Sequence, residues 1–381
     1  MPVALGDLLS YGLTLLLSSG SAAPASQPAT QPASQPALAQ APAVQIDHDA
    51  EVDGLEFPME IKSSPGVTLA ATLSVPTNAP NCPAVVLVSG SGPQDRDETL
   101  LGKKPFAVLT EELLRRGIAT LRYDDRGVAE STGDFDSATT FDFADDAAAA
   151  VRALRDVDGI GPIGIVGHSE GGLIAPIVAT REDDVDFIIL LGGPTVPGHE
   201  VLARQQVDLL KASGLSDEHV RRIAEQSKVL FDAIRSDAAD EIIRKAAANL
   251  VLVQVGLQPA DEVPAPMETM VDELLKQLTS PWMKTFLAYD PGETLQAVDV
   301  PMLLVFGELD LQVSAEQNLA GLATLFPDED DRPTSLVLPK MNHLFQVART
   351  GSMAEYAGLG ESMEDPLADE LATWIKALDD E

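Results

Sequence analysis

The chain has 381 residues, enough for one large or two modest domains, and its 45% hydrophobic content is sufficient for a substantial core. The 60 acidic residues outnumber the 25 basic ones and give a net charge of −35, which disfavours nucleic acid and anionic membrane surfaces, because both bind basic patches. A single cysteine, Cys82, excludes an intrachain disulfide, and five scattered histidines without an H-E-x-x-H motif argue against a catalytic metal.

The N-terminal segment differs in composition from the rest of the chain. Residues 1–23 predict an export signal, because the apolar stretch Val3–Leu17 is followed by the small residues Gly20–Ala23. That stretch is too short for a membrane span, and no Lys or Arg precedes Lys62 to supply the usual positive start. We therefore expect a periplasmic or secreted protein, with a disordered cytoplasmic tail as the alternative. Residues 24–54, rich in Pro, Ala and Gln, predict an extended linker.

From Leu55 onwards, strand patterns alternate with helix patterns. Two short runs on either side of Ser63–Gly66 predict a hairpin, and the later strands are continuously apolar, as in a parallel sheet covered on both faces. This alternation predicts an α/β fold with a mostly parallel sheet. The predicted elements are strands at 57–61, 67–73 and 84–88, a helix at 105–116, a strand at 118–121, a helix at 141–155, a strand entering at 163, and a strand at 187–191.

The alternation stops after Gly193. Apolar residues recur at helical spacing between Val220 and Ile234, and further helices are predicted at 238–252 and 267–278. Residues 194–297 therefore predict a helical insertion, which divides the α/β core into 55–193 and 298–381. The second part contains a strand at 301–306, a helix at 315–325, a strand at 335–338 and a closing helix at 366–378.

A glycine-rich turn between the strand entering at 163 and the helix after it carries a candidate nucleophile. Gly167-His168-Ser169-Glu170-Gly171 has the form G-x-S-x-G, which is typical of a nucleophile elbow. Such a turn exposes the serine oxygen to substrate and to a base, and the N–H groups that begin the helix face the developing negative charge. Ser169 is the predicted nucleophile.

A serine nucleophile needs a base and a group that orients the base. On elbows of this kind the usual chain order is Ser, acid, His. Asp310 directly follows the predicted strand at 301–306, and His343 follows the next strand, so both lie at the carboxyl edge where an α/β sheet builds its site. We predict Asp310 as the acid, with Glu308 as its rival, and His343 as the base.

The tetrahedral intermediate needs N–H donors for its oxyanion. The backbone N–H of Glu170, directly after the nucleophile, is the first candidate. The second is the backbone N–H of Ser91, in the loop Ser89–Gly92, whose two glycines allow an anion to approach the backbone. His168 is expected to point away from the serine and to pack.

Taken together, these motifs resemble the α/β-hydrolase superfamily, and in particular its bacterial serine carboxylesterase branch with a helical cap domain. The resemblance runs from about Leu55 to the end of the chain. It implies an α/β-hydrolase fold: a mostly parallel central sheet with helices on both faces and an inserted helical cap at 194–297. The stretches that carry it are Ser89–Asp97, Arg122–Gly127 with Ser131–Gly133, Gly167–Gly171, Gly307–Val313 and Asn342–Gln346.

One position departs from the superfamily pattern. Ala129 stands where members often carry a second glycine after Arg126-Gly127. We expect this loop to be scaffold, with Arg126 buried and paired, so the departure has little effect on the predicted chemistry.

The resemblance implies hydrolysis of small carboxylic esters through an acyl-enzyme, without a cofactor or metal. Ser169 would attack the carbonyl, His343 would transfer the proton, and Asp310 would orient the imidazole. The insertion would cover the site with Trp282, Met283, Phe286 and Leu287, although these residues are equally suited to be the core of the cap itself. The partner is thus a small-molecule ester, and the natural substrate, acyl length and oligomeric state stay open.

Other activities fit the same residues. A peptidase releasing N-terminal residues would need carboxylates in the cap to hold a substrate amine, and the cap is acidic enough to supply them. A thioesterase and an acyltransferase are open for the same reason. A catalytically silent binding protein is disfavoured, because it has no physical need for a complete Ser-Asp-His set.

Overall fold

The computed structural model describes residues 54–77, 79–260 and 262–378. The predicted export signal and almost all of the predicted linker therefore lie outside the described residues. The strands of the described part are β1 (Gly54–Lys62), β2 (Thr68–Pro76), β3 (Cys82–Val88), β4 (Ala119–Tyr123), β5 (Ile160–His168), β6 (Phe187–Leu191), β7 (Met302–Gly307) and β8 (Thr334–Leu338).

All eight strands form one sheet in the order β1-β2-β4-β3-β5-β6-β7-β8. The hairpin β1–β2 and the pairing of β2 with β4 are antiparallel, and every pairing from β4 to β8 is parallel. The prediction of a mostly parallel α/β sheet is confirmed. β1 begins at Gly54, one residue before the predicted start of the core.

Helices cover the sheet and link its strands. Their bounds are α1 (Pro105–Arg115), α2 (Thr140–Arg155), α3 (Gly171–Ala179), α4 (Gly198–Ala212), α5 (Asp217–Arg235), α6 (Asp240–Gln254), α7 (Ala265–Leu278), α8 (Pro281–Ala288), α9 (Gly292–Ala297), α10 (Ala315–Leu325) and α11 (Leu367–Ala377), with a 3-10 helix at Met353–Gly358. None of the helices in the described ranges is long and apolar enough to cross a bilayer.

The continuous apolar strands are explained by two cores, one on each face of the sheet. Along β3, Val86 and Val88 belong to one buried cluster, while Val85 and Leu87 belong to the other. Successive side chains point to opposite faces, so a strand covered on both sides must be apolar at every position.

Residues 194–297 contain the helices α4 to α9 and, among the described residues, no strand. Three of these helices, α4, α8 and α9, escaped the sequence analysis. Much of the exposed surface of α4 is polar, and α8 and α9 have only eight and six residues, so their apolar periodicity is weak. The insertion has a buried cluster of its own, which includes Ile223, Leu230 and Val251.

The loop after β4 has the scaffold role that was expected. Arg126 is buried, and its guanidinium donates to both oxygens of the buried Asp146 carboxylate at 2.6 and 2.9 Å. Ala129 adopts a left-handed backbone with φ of +46°. This conformation explains why a glycine suits the position, since a Cβ is penalised there.

We predict that Ala129→Gly stabilises the protein. Relief of the left-handed strain is worth about 1–2 kcal/mol, and the greater freedom of glycine in the unfolded chain offsets about half of it. Chemical unfolding should therefore show a gain of roughly 0.5–1 kcal/mol. Gly127→Ala is the matched control: φ at Gly127 is +73° and a Cβ would lie 2.9 Å from the amide N of Phe135, so this variant should be destabilised. A loss of stability in Ala129→Gly would contradict the prediction.

Candidate active site

The turn between β5 and α3 is as tight as the elbow motif requires. Ser169 has a φ of +53°, in the left-handed region. A Cβ on Gly167 would lie 2.0 Å from the carbonyl oxygen of Gly171, and a Cβ on Gly171 would lie 2.2 Å from the carbonyl oxygen of Val88. Only glycine fits at both positions, and this close approach presents the partly exposed Ser169 at the carboxyl edge of the sheet.

Asp310 lies in the loop after β7 and meets His343. Its Oδ2 accepts a 2.7 Å hydrogen bond from Nδ1 of His343, and both side chains are buried. Its Oδ1 accepts from the backbone N–H groups of Gln312 and Val313 at 2.7 and 2.9 Å. The rival acid Glu308 is exposed and instead accepts from a backbone amide of the loop after β8. The geometry therefore favours Asp310 over Glu308 as the partner of the imidazole.

The loop that carries His343 is held by its own polar residues. Oδ1 of Asn342 accepts from the backbone N–H groups of Leu344 and Gln346 at 3.1 and 2.9 Å, and its Nδ2 donates to the Gln346 side chain at 3.0 Å. The Gln346 amide in turn donates to the carbonyl of Gly360 at 3.0 Å. These buried bonds fix the backbone of His343 without contacting its ring.

The structure brings the predicted acid and base to the same edge as the nucleophile. The backbone N–H of Ser169 donates to the carbonyl of Leu191 at 2.8 Å, and the next residue, Gly192, touches the Asp310–His343 pair. A Cβ on Gly192 would lie 3.3 Å from both Oδ2 of Asp310 and Nδ1 of His343. Strands β5, β6, β7 and β8 are neighbours in the sheet, so their carboxyl ends converge. The contact between the serine hydroxyl and the imidazole stays a prediction.

The predicted oxyanion donors belong to two different turns, the loop after β3 and the elbow itself. Ser91 follows β3, and its side chain approaches the carboxylate of Glu170. The described residues offer no acceptor to the amide N–H of Ser91 or of Glu170. The amide of Gly90 is different, because it donates to Oε1 of Glu98 at 2.8 Å and is thus unavailable to a substrate.

The loop after β3 is tied to the loop after β4 by carboxylates. Asp125 accepts from the backbone N–H of Gln94 at 2.9 Å and from the hydroxyl of Ser89 at 3.2 Å. Asp124 accepts from the backbone and side chain of Arg96, at 2.8 Å and 2.7 Å. These contacts explain why the stretches Ser89–Asp97 and Arg122–Gly127 occur together: each supplies the partners of the other.

Three carboxyl groups line a small cavity behind the β3 loop: Asp125, Asp146 and Glu170. Burial raises the pKa of Asp125 well above its ordinary value, and it also raises the pKa of Asp146 and of Glu170. A raised pKa favours the neutral carboxylic acid. Asp146 is paired with the Arg126 guanidinium as a carboxylate, so the negative potential beside the predicted oxyanion donors is reduced mainly at Asp125 and Glu170.

Glu170 also joins the elbow to the helical insertion, which the sequence did not reveal. Its Oε1 accepts from Nε1 of Trp282 on α8 and from the hydroxyl of Thr140 at the start of α2, both at 2.7 Å. Trp282 stacks on Phe286, with ring centroids 5.5 Å apart. Met283 and Leu287 instead belong to the buried cluster of the insertion. Met283 and Leu287 therefore pack in the core of the insertion, while Trp282 faces the elbow.

The sequence analysis also missed Glu98, and it assigned only packing to His168. Both side chains are buried, and Nδ1 of His168 lies 2.7 Å from Oε1 of Glu98. A glutamate next to Asp-Arg-Asp suggests a solvated turn, so no local signal predicted its burial.

As for metals, the described residues contain no group of three His, Cys, Asp or Glu side chains suited to hold an ion.

The sheet order, the elbow and the placement of the predicted acid and base are those of the α/β-hydrolase fold. A family model described as "Serine aminopeptidase, S33" matches residues 104–271. Esterase EstD from Thermotoga maritima is 27% identical over 308 residues, which cover 81% of this chain and 65% of that protein. The chain thus spans slightly less than two thirds of the length of this curated relative.

Solved structures with the same overall arrangement have low sequence identity. A hypothetical protein from Pseudomonas aeruginosa has a TM-score of 0.50 and 16% identity, covering 88% of this chain and 99% of its own. Est1E from Butyrivibrio proteoclasticus with bound ferulic acid has a TM-score of 0.48 and 18% identity, and the match covers 84% of this chain and 97% of that chain.

We predict that Trp282→Phe loosens α8 from the elbow. The variant loses a hydrogen bond to the buried Glu170 carboxyl, and an ordinary bond of this kind is worth about 0.5–1.5 kcal/mol. Hydrogen exchange of residues 281–288 should therefore be faster than in the wild type. Trp374→Phe is the matched control, because the only other tryptophan packs on Phe187 of β6, at a centroid distance of 5.9 Å. Equal exchange of this helix in Trp282→Phe and wild type would contradict the assigned contact.

Proposed function

We propose that this protein is a serine hydrolase that cleaves small carboxylic esters through an acyl-enzyme intermediate. The observation that carries the proposal is the buried 2.7 Å hydrogen bond between Asp310 and His343, at the sheet edge where Ser169 occupies a strained elbow. The curated relative that carries the name esterase supports the substrate class.

In the proposed mechanism, the hydroxyl of Ser169 attacks the ester carbonyl while Nε2 of His343 accepts its proton. The carboxylate of Asp310 holds the other ring nitrogen as the donor and stabilises the imidazolium that forms. The amides of Glu170 and Ser91 donate to the oxyanion, and each such donor is worth about 3–4 kcal/mol. His343 then protonates the departing alcohol, and in the second half-reaction it takes a proton from the water that releases the acid. No cofactor is required.

We further propose that the helical insertion acts as a cap over this site. The Trp282–Glu170 hydrogen bond supports this, because it ties α8 to the residue directly after the nucleophile. The partly buried ring of Trp282, stacked on the buried ring of Phe286, offers an apolar contact near the elbow, suited to the acyl or alcohol portion of an ester.

An aminopeptidase is the second candidate, because the matching family model carries that description. It would need a carboxylate free to hold the ammonium group of the substrate. Glu170 directly follows the predicted nucleophile, but Thr140 and Trp282 already donate to it, and burial raises its pKa. Both features weaken the attraction of Glu170 for an ammonium group, so an aminopeptidase would have to use other carboxylates of the insertion.

We expect Ser169→Ala and His343→Ala each to abolish turnover of a short-chain p-nitrophenyl ester, by about 10⁴-fold or more. The double variant should be no slower than either single one, because the three residues act as a unit. Initial rates give the comparison, with circular dichroism to verify folding. The control His219→Gln changes a histidine on α5 that bonds to a backbone carbonyl of the insertion, and it should retain turnover. Near wild-type rates in folded Ser169→Ala would refute the assigned nucleophile.

A fluorophosphonate separates the enzyme from a silent binding protein. We expect one covalent adduct, located on Ser169 by mass spectrometry and lost in Ser169→Ala. Rates on short acyl esters, acyl thioesters and aminoacyl anilides then distinguish the esterase from the thioesterase and peptidase, and added alcohol acceptors detect acyl transfer. Faster cleavage of the anilides would favour the aminopeptidase.

Export is proposed on the sequence of residues 1–23 alone. Expression of the full chain in a bacterium, followed by N-terminal sequencing of the periplasmic and cytoplasmic fractions, tests it. A mature chain beginning near Ala23 in the periplasm would support export, and an intact cytoplasmic chain would contradict it.

A further inference from the structure

A buried chain of hydrogen bonds lies directly beneath the proposed catalytic residues. Oε1 of Glu98 accepts from the backbone N–H of Gly90 at 2.8 Å and faces Nδ1 of His168 at 2.7 Å. Nε2 of His168 lies 2.9 Å from the backbone carbonyl oxygen of His343. These hydrogen bonds therefore link the loop after β3 to His168, which precedes Ser169, and to the backbone of His343.

The hydrogen-bonding partners of His168 favour its doubly protonated form. A neutral imidazole has one N–H, yet both ring nitrogens of His168 face acceptors: a carboxyl oxygen and a carbonyl oxygen. An imidazolium paired with a Glu98 carboxylate donates to both partners, and Oε1 of Glu98 then accepts from both Gly90 and His168. A neutral His168 donates to only one partner, and its other contact then needs a protonated Glu98.

The backbone of Glu98 is strained. Its φ of +53° is in the left-handed region, which is unfavourable for a residue with a Cβ. The turn is held by a hydrogen bond from its N–H to the carbonyl of Asp95 at 2.9 Å, and the Asp95 side chain accepts from the amide of Thr99 at 3.0 Å. The result is a carboxylate that is 3% exposed and directed inward.

We propose that Glu98 and His168 form a charged positioning pair that sets where the imidazole of His343 and the loop of Gly90 and Ser91 stand relative to Ser169. The rings of His168 and His343 also pack together, with centroids 4.8 Å apart. The pair touches no substrate atom and acts through its two neighbours. This inference rests on the proposed function, since it assigns a role in the same reaction.

The pair also has a defined pH dependence. Burial opposes the charge on His168, but the Glu98 carboxylate raises the pKa of His168 above its ordinary 6.5, with a smaller contribution from Asp310. The charged and titratable groups that face His168 are thus Glu98, Asp310 and His343. A raised pKa in the folded state means that the stabilisation is complete below about 6.5 and is lost as pH rises through the raised pKa.

Glu98→Gln is the sharpest test, because it keeps the shape and the acceptor for Gly90 but removes the charge that holds the second proton on His168. Neutral His168 can then donate to only one of its two partners. We expect kcat on a short-chain ester to fall by about 10–100-fold, the effect of a small misplacement of catalytic groups, with KM little changed. The stability difference from wild type, measured by chemical unfolding, should be larger at acid than at alkaline pH.

Glu112→Gln is the matched control. Glu112 is also buried and charged, but it pairs with Arg115 and Arg116 near the end of α1, at the opposite edge of the sheet. It should lose stability without a change in kcat. A folded Glu98→Gln with the kcat of wild type would overturn the inference. The proposed esterase would still stand in that case if the wild type hydrolyses the ester and reacts with fluorophosphonate.

A measurement on the unaltered protein covers the case in which Glu98→Gln fails to fold or the wild type proves inert towards esters. In protein labelled with ¹⁵N-histidine and titrated from acid to alkaline pH, one of the five histidines should keep two protonated ring nitrogens above the ordinary pKa of 6.5. If every histidine loses its second proton at or below 6.5, the charged pair is wrong. Persistence of the imidazolium supports it, whatever the reaction proves to be.

Discussion

The close approach of the first turn of α3 to β3 and β5 is the constraint on which the rest of the site depends. Gly171 packs against the carbonyl of Val88, and no side chain larger than hydrogen fits between them. That contact forces Ser169 into its left-handed conformation and brings the N-terminus of α3 against the loop after β3. The predicted nucleophile, the predicted oxyanion donors and the Glu98–His168 contact are neighbours because of this steric fit.

The other parts of the site are held by polar contacts between loops that are distant in sequence. Asp124 and Asp125 anchor the loop after β3, Asn342 anchors the loop of His343, and two backbone amides anchor Asp310. In each case a carboxylate or amide side chain satisfies backbone groups that would otherwise be buried without partners. The geometry at the sheet edge therefore depends on these hydrogen bonds from loop to loop as well as on the steric fit of the elbow.

Local sequence signals predicted the parts of the fold that depend on local chemistry. Continuous apolar runs identified the central strands, because burial on both faces leaves no polar position, and the chain order of Ser169, Asp310 and His343 followed from strand ends. The short helices α8 and α9 were missed, since one or two turns carry little periodicity. Glu98 was missed for another reason: its partners Gly90 and His168 are 8 and 70 residues away, and a left-handed turn directs it inward. Side chains whose role comes from such distant partners leave no pattern in a single sequence.

The separate apolar cluster of the insertion has a consequence for how such proteins diversify. Since α5, α6 and α7 bury Ile223, Leu230 and Leu274 against one another, most changes within these helices leave the packing of the sheet untouched. Trp282 is an exception, because it packs on both clusters and bonds to Glu170. Under the proposed cap role, substrate preference is free to change when the insertion is replaced, while the predicted catalytic residues keep their positions, as long as the new insertion offers an N–H to Glu170.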